Sequence, residues 1–480
     1  MKTKQIKHLL TLFVSLVSFT ASAADYDFEV DGIYYTVTSL TDFTCAVTKG
    51  DTPYEGTMVI PATVEYNNRT LTVTGIKRAF DSNNTSLRSL TIPNTVLSVE
   101  NYAFEECSID SIIIEDGDTE IDLGLGMGYT SNGTFTHSAT SYVYIGRNVK
   151  NGEYRNGIIY TCPPFRRSNF KVAVFGDRVT STSSFENSKQ LEKVILGAGI
   201  TAIVSNSFNG CTNLSDISMG DNVVEVGYGA FEDCVSLRTI SLSKSLVEIK
   251  ERAFDRCTSL QTVPLPPVLE KIGRYAFASS GIQNISLPES VTEVGWDCFC
   301  WCENLISVEL SDAITTLPYN VFADCSNLKS VKMPKSLVSI YSSAFSGCSS
   351  LTEIELPQSV KSIEENAFNG CESLTVINAL ATTPPTMKES YSSMFTTAQY
   401  MNIVVNVPMG SKEAYMQANV WKNFWNINEI DPTGIGTVST DSQEDANAIY
   451  TINGVKYNTT NLSDLPSGIY IKNGKKVYVK

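Results

Sequence analysis

Histidine is almost missing from these 480 residues, occurring only at His8 and His137. Chemistry that leans on imidazole, such as zinc hydrolysis or a Ser-His-Asp triad, has little to build on. No G-x-S-x-G nucleophile turn, H-E-x-x-H pair or phosphate-cradling glycine loop occurs either, and the acids are scattered through positions expected to face solvent. The expectation is therefore a protein that is not an enzyme and carries no cofactor or metal. Positive charge is also short, with 36 Lys+Arg against 51 Asp+Glu and a formal net charge of −15. That balance argues against nucleic acid and against an anionic membrane surface as partners. After residue 19 no apolar run approaches the roughly 20 residues that a membrane-spanning helix needs.

What is present begins with Lys2, Lys4, Lys7 and His8, an apolar run over 9–19, and the small residues Ala21-Ser22-Ala23. Basic start, short apolar centre and small-residue exit make residues 1–23 a secretory signal peptide. Its removal takes three lysines, so the mature charge moves from −15 to −18. An exported chain, secreted or attached to the outer cell surface, follows.

The dominant feature is internal repetition. Units start at Leu191, Leu214, Leu237, Leu260, Ile282, Leu305, Leu328 and Leu351, 23 residues apart except for one step of 22. Phe185, Phe208, Phe231, Phe254, Phe277, Phe299, Phe322, Phe345 and Phe368 mark the same beat. Each unit opens L-x-x-[IV]-x-[LM], a short strand with its fourth and sixth positions inward. It continues [VI]-x-x-[IVL]-x-x-x-[AS]-F-x-x-C, a second short strand or turn closed by a one-turn helix that buries the Phe. No unit can bury both apolar clusters alone, but stacked units share one core, with parallel strands about 4.8 Å apart. The predicted architecture is a solenoid over 67–381, capped by β-hairpins over 24–66 and by a C-terminal segment over 382–430. In that cap, Lys412 to Gln417 form a short helix and Trp421, Phe424 and Trp425 are apolar anchors. Residues 431–445 read as a linker. Residues 446–480, with Asn453-Gly454 and Asn473-Gly474 as hairpin turns, read as a small all-β module. Between 116 and 169 the period fails in a Gly- and Tyr-rich stretch, read as degenerate rungs that carry a long loop or irregular insertion.

Eight of the twelve cysteines, Cys107, Cys211, Cys234, Cys257, Cys302, Cys325, Cys348 and Cys371, stand three residues after a repeat Phe. Neighbouring rungs are near enough for disulfides. However, Asn83, Ser188 and Ser280 occupy the same column, so the place calls for a small buried residue and reduced thiols are expected. Cys300 falls at an outward position, as a free or intermolecular thiol.

Two places are candidate binding sites. One is the rung Trp296-Asp297-Cys298-Phe299-Cys300-Trp301-Cys302, where Trp296 and Trp301 fall at positions held elsewhere by Arg274, Tyr341 or Glu364 and by Asp324, Gly347 or Gly370. Two solvent-facing indoles make a hot spot; the alternative is that they pack on each other and on neighbouring rungs. The other is the insertion, with Tyr129, Phe135, Tyr142, Tyr144 and Tyr154, set against the alternative of a structural flap. The strand face, with Asn284, Ser286, Ser307, Glu309, Ser330 and Lys332, is small and hydroxylated and lacks an aromatic sugar platform.

The period and the I-x-x-x-A-F-x-x-C pattern resemble the BspA-like leucine-rich-repeat surface proteins of Bacteroidetes and other microbes. The resemblance spans roughly 25–430 and implies a leucine-rich-repeat solenoid that attaches to protein ligands on host or microbial surfaces. Capture of glycans is the alternative. The last residues, 449–480, look like the terminal β-domains with which exported Bacteroidetes proteins are sorted or attached.

Overall fold

The computed structural model describes residues 26–80, 86–101, 103–104, 107–124, 126–127, 134–136, 138–151, 154–155, 158–159, 161–388, 394–430, 449–451, 461, 465, 468–472 and 475–479. The signal peptide, the linker and Tyr129 lie outside them. The chain divides into two compact units, up to Pro164 and from Phe165 onward. Among the described residues no helix is long and apolar enough to cross a membrane.

The first unit begins as an antiparallel meander of Phe28–Val30, Ile33–Ser39 and Thr44–Val47. Asp31 and Gly32 both have positive φ, 50° and 77°, as a two-residue turn matched to strand twist requires. Asn67 and Asn68 repeat the device between Thr63–Tyr66 and Arg69–Ile76. Two parallel ladders then rise. One joins Gly56–Val59, Leu87–Ile92, Ser111–Ile114 and Tyr142–Ile145. The other joins Thr44–Val47, Arg69–Ile76 and Ser98–Val99, and continues through the bridges Ser98 to Asp122 and Ile121 to Val149. The rings of Phe80, Phe104 and Phe135 stack at 5.1 and 4.9 Å.

Over 116–169 the rungs continue with lengthened loops between them. Tyr142–Ile145 is a regular ladder strand, and Phe135 is the next beat of the aromatic stack. The period failed because loops lengthened: Ser111 bonds Ser89 22 residues back, whereas Ser141 bonds Asp110 31 residues back. Extra chain goes into Gly126–Met127, paired antiparallel with Thr161–Cys162, and into the small hairpin Tyr154–Arg155 with Ile158–Ile159. Arg147, fully buried, donates to the carbonyls of Pro93, Asn94 and Val96 and so ties the turn of one rung to another.

The second unit repeats the same plan. Its first ladder runs Val172–Phe175, Lys193–Ile195, Asp216–Ser218, thins to bridges at Ser241 and Thr262, and resumes in Asn284–Ser286, Ser307–Glu309 and Ser330–Lys332. The thinning coincides with Pro264, which has no N–H to give a ladder. Its second ladder is built of two-residue strands, including Lys271–Ile272, Glu293–Val294, Thr316–Leu317 and Ser339–Ile340. Leu305, Val308 and Leu310 of one rung are buried, as the sequence pattern requires of positions one, four and six. Inside, eleven phenylalanines from Phe165 to Phe395 stack ring on ring, neighbours 4.8 to 6.3 Å apart and within 20° of parallel. Offset stacking of this kind adds about 0.5–1.5 kcal/mol per pair beyond area burial.

The expected one-turn helix around each Phe is instead a run of turns. Residues two before and two after the Phe have positive φ, as in Asp297 (57°) and Trp301 (57°) around Phe299. The chain therefore zigzags, and its N–H groups divide. Asp297, Phe299 and Trp301 donate to Tyr319, Val321 and Ala323 of the next rung, while Cys300 and Cys302 donate back three residues within their own. A helix would keep all of these bonds to itself; here every second one stitches rungs together.

All twelve cysteines are free and buried. Those of the repeat column cap backbone: the thiols of Cys211, Cys234, Cys257, Cys302, Cys325, Cys348 and Cys371 each donate to the carbonyl of the Phe one rung earlier, at 3.0 to 3.2 Å. Ser188 makes the same bond to the Phe165 carbonyl at 2.9 Å, which explains why serine substitutes. Burial pushes the thiols up, Cys302 to about 11 and Cys371 to about 12.

The C-terminal cap prolongs the first ladder through Glu353–Leu356, Val376–Ala379, Val404–Pro408 and Asn426–Ile430. Helix Thr397–Asn402 starts with a capping box of Thr396 and Gln399, and the Gln399 amide also donates to the Cys371 carbonyl. The second helix is Lys412–Gln417. Trp421 and Phe424 are buried, and the Trp421 indole donates to the Pro385 carbonyl. Trp425 does not anchor: it is 71% exposed, while Trp421 and Phe424 beside it fill the cap. In the terminal module Gly468–Lys472 pairs with Lys475–Val479 and with Ile449–Thr451 around Ile449, Leu465 and Tyr470.

Truncating a mid-stack ring, as in Phe277→Ala, should cost about 3–5 kcal/mol in urea unfolding, whereas Cys257→Ser should cost less than about 1.5 kcal/mol because the donor survives. The thiols should resist alkylation in the native protein at pH 8 and react on unfolding without reductant. Because their folded values are raised, the stability they confer is complete below the unfolded thiol value near ~8.5 and is lost as pH climbs toward the folded values. A denaturation midpoint that stays level from pH 7 to 11 would contradict this.

Candidate binding surface

The zigzag around each Phe turns some side chains outward on the turn side of the rung, so successive rungs build columns of surface residues. Trp296 is 49% exposed, and its ring meets that of Tyr319 edge to face at 5.4 Å. Tyr319, 40% exposed, leans on Tyr341 at 5.0 Å. On the other side the Arg274 guanidinium lies 5.7 Å from the Trp296 ring and 5.1 Å from that of Tyr275, over which Arg252 also sits at 4.6 Å. A continuous ridge of Arg and aromatic side chains thus crosses several rungs. Trp301 is 50% exposed, and among the described residues no ring or guanidinium lies against its indole.

Beneath the ridge, the position just after each Phe changes chemistry along the solenoid. In one stretch it holds Glu232 and Asp255, both buried, with Asp233 beside them. Arg256 reaches Glu232 at 2.6 Å, Asp233 at 2.6 Å and Asp255 at 3.0 Å, and Arg252 reaches Asp255 at 2.8 Å. Burial raises the Asp255 carboxyl, and Arg256 and Arg252 oppose the rise. In the next stretch the same position holds Ala278, Cys300 and Ala323, an apolar cluster against which Tyr275 packs. Cys300 is therefore not an outward thiol. It is 1% exposed, since the alternating backbone directs this position under its neighbours.

Trp301 stands in a left-handed conformation that a bulky residue rarely adopts. Its counterparts two rungs and three rungs later are Gly347 and Gly370, with φ of 74° and 75° and no side chain to strain.

Of the aromatic residues at 116–169, Phe135 is wholly buried in the stack and offers no surface. Tyr142 and Tyr144 are half-buried on a ladder strand, with the Tyr144 hydroxyl donating to Asp116 at 2.8 Å. Tyr154 belongs to the strand Tyr154–Arg155. The sequence reading did not single out Tyr275, Tyr319 or Arg252, and it named Arg274 and Tyr341 only as the solvent-facing counterparts of Trp296. On the strand face, a groove of about 950 Å³ is lined by Asn284, Ser286, Ser307, Glu309, Ser330 and Lys332 among others. Its side chains pair across rungs: Lys332 with Glu309, Ser286 with Glu309 at 3.0 Å, and Ser307 with Asn284 at 2.6 Å. No group of three His, Cys, Asp or Glu placed to hold a metal occurs among the described residues.

Replacing Trp301 by glycine should shift stability by less than about 1 kcal/mol, because relief of the left-handed strain offsets the lost half-burial. A urea midpoint that falls as far as for Phe299→Ala would show instead that the indole is a core residue.

Comparison with solved structures supports the repeat fold. The chain has the fold of a leucine-rich repeat protein from Bacteroides ovatus, at 24% identity and a TM-score of 0.52 over 85% of this chain and 100% of the other. It also matches a leucine rich cell surface protein from Faecalibacterium prausnitzii at 22% identity and a TM-score of 0.37, over 78% of this chain and 97% of the other. No curated protein matches. The profile of the BspA type leucine rich repeat region, in six copies, covers residues 68–151, 179–306 and 292–428. With that profile spanning most of its length, the chain belongs to the BspA type leucine-rich-repeat family.

Proposed function

We propose that the protein is exported and serves at the cell surface as a binding scaffold, engaging a protein ligand of a host or microbial surface through the turn-side ridge of its second unit. The observation that carries this reading is the run of exposed or half-exposed Tyr275, Trp296, Trp301, Tyr319 and Tyr341 with Arg274 among them. Trp, Tyr and Arg dominate the few residues that carry most of the energy in protein interfaces. The basic and apolar leader at residues 1–23 supports export. A second reading, capture of a polysaccharide, draws support from the strand-face groove, whose hydroxyl, amide and charged side chains suit hydrogen bonding to sugars.

The deciding experiment is binding of the mature chain to immobilised matrix proteins, microbial surface proteins and glycans. Its companion is the double variant Trp296→Ala/Tyr319→Ala, which leaves the Phe stack untouched. A protein ligand whose affinity falls by at least about 30-fold in the variant, equivalent to ~2 kcal/mol, supports the ridge. Binding to glycans alone, with the variant unaffected, would move the function to the strand face.

A further inference from the structure

The ladder of the first unit that starts at Gly56–Val59 begins on an open edge. Gly56–Val59 pairs with Leu87–Ile92 and with no second strand. Alternate residues of a parallel strand turn both of their backbone groups to the same side. Gly56 and Ile60 send their N–H groups to the Ser86 and Thr91 carbonyls, so they and Met58 serve the ladder. Thr57 and Val59, between them, turn the other way, and among the described residues their N–H and C=O groups meet no partner. Val59 is also 58% exposed, at a place where charge, proline or a covering loop normally discourages pairing.

A groove of about 690 Å³ is lined by this strand together with the turn at Asp31 and Gly32 and the strand Thr63–Tyr66. Its lining has two parts. Ile33, Met58 and Val64 are apolar, while Asp31, Glu55 and Glu65 are acidic, exposed and outside every ion pair among the described residues. No lysine or arginine lines it. Pro53 and Pro61 flank the strand, and because proline gives no N–H to a ladder they confine the open edge to a few residues.

We infer that this edge is a docking site for a short extended segment of a partner protein, with alternating apolar and basic side chains, which adds as a further strand beside Gly56–Val59. Backbone and side chains together name the occupant. Thr57 and Val59 offer donors and acceptors that another extended backbone matches along its length. The period of two then puts one set of guest side chains over the apolar lining and leaves the other set for the carboxylates. An acidic or neutral guest would cover Asp31, Glu55 and Glu65 without a counter-charge. The site goes beyond the turn-side ridge of the second unit and does not depend on it.

The test uses the mature chain and a labelled peptide of about eight residues in which lysine and valine alternate, read by fluorescence anisotropy. This peptide should bind at least about tenfold tighter than the same peptide with glutamate in place of lysine, and more weakly as salt rises. N-methylation of one alternate set of its amides should abolish binding, because strand addition uses one edge of the guest. Equal binding of the lysine and glutamate peptides, or affinity that survives methylation of either set, overturns the inference. Val59→Pro removes an N–H that the ladder does not use, so it should weaken the peptide at least about fivefold at an unchanged urea midpoint. Should that variant unfold, the methylated peptides decide alone. Glu55→Gln/Glu65→Gln should weaken the peptide roughly threefold, while Glu120→Gln, an exposed charge of the same unit outside the groove, should not. An equal loss in Glu120→Gln would mean non-specific attraction, and a loss in Trp296→Ala/Tyr319→Ala would place the peptide on the ridge; either result overturns the inference.

Discussion

Everything in the second unit depends on how the backbone passes the repeat phenylalanine. With left-handed residues on either side of it, alternate N–H groups leave the rung and bond to the next, as Asp297, Phe299 and Trp301 do. The strands of a rung are only two to four residues long, too short to fix a stack by themselves. The turn-side bonds double the stitching and hold the Phe rings within 20° of parallel. The cysteine column completes the arrangement, because each thiol is a second donor, from the next rung, to a Phe carbonyl that already accepts the N–H three residues on. The I-x-x-x-A-F-x-x-C pattern is therefore one mechanical device, with the ring as its filling and the thiol as its cap.

Repetition made the fold legible. A position that faces the shared core must meet the same neighbours in every rung, so Leu and Phe recur and the period shows through. Legibility failed where the chain between core positions changed length. Phe135 fills the core just as Phe104 does, but the longer loops around it hid the beat and made a core ring look like a binding residue. It failed again where direction depended on the sign of φ. A one-turn helix would put Cys300 outside, whereas the zigzag turns it under Ala278, Ala323 and Tyr275. Trp425 was misjudged for the opposite reason, since its neighbours Trp421 and Phe424 fill the cap and leave it in solvent.

The surface was legible only where a residue was out of character. Trp296 and Trp301 stood out because other rungs carry polar residues or glycine there. Tyr275, Tyr319 and Tyr341 did not, because tyrosine is common in this chain and its offset from the Phe varies by one or two residues. What joins them is spatial: ring contacts from rung to rung, which a single sequence does not display. The turn side is free to vary because its backbone bonds do not depend on side-chain identity. That freedom lets one stretch hold a half-exposed Arg–carboxylate cluster and the next an apolar floor beneath aromatic rings.

The two faces differ most in what a ligand would displace. On the strand face the polar side chains already satisfy one another across rungs: Lys332 with Glu309, Ser307 with Asn284, Asn378 with Glu353, and Asn406 with Asn378. Each such exposed pair is worth about 0–1 kcal/mol, so a ligand could break them, but the apolar area it would then cover is small. Covering the ridge returns about 25 cal/mol for every Å² of indole and phenol taken from water, and Trp301 has no ring or cation partner to surrender first. Desolvation thus favours the turn side for affinity.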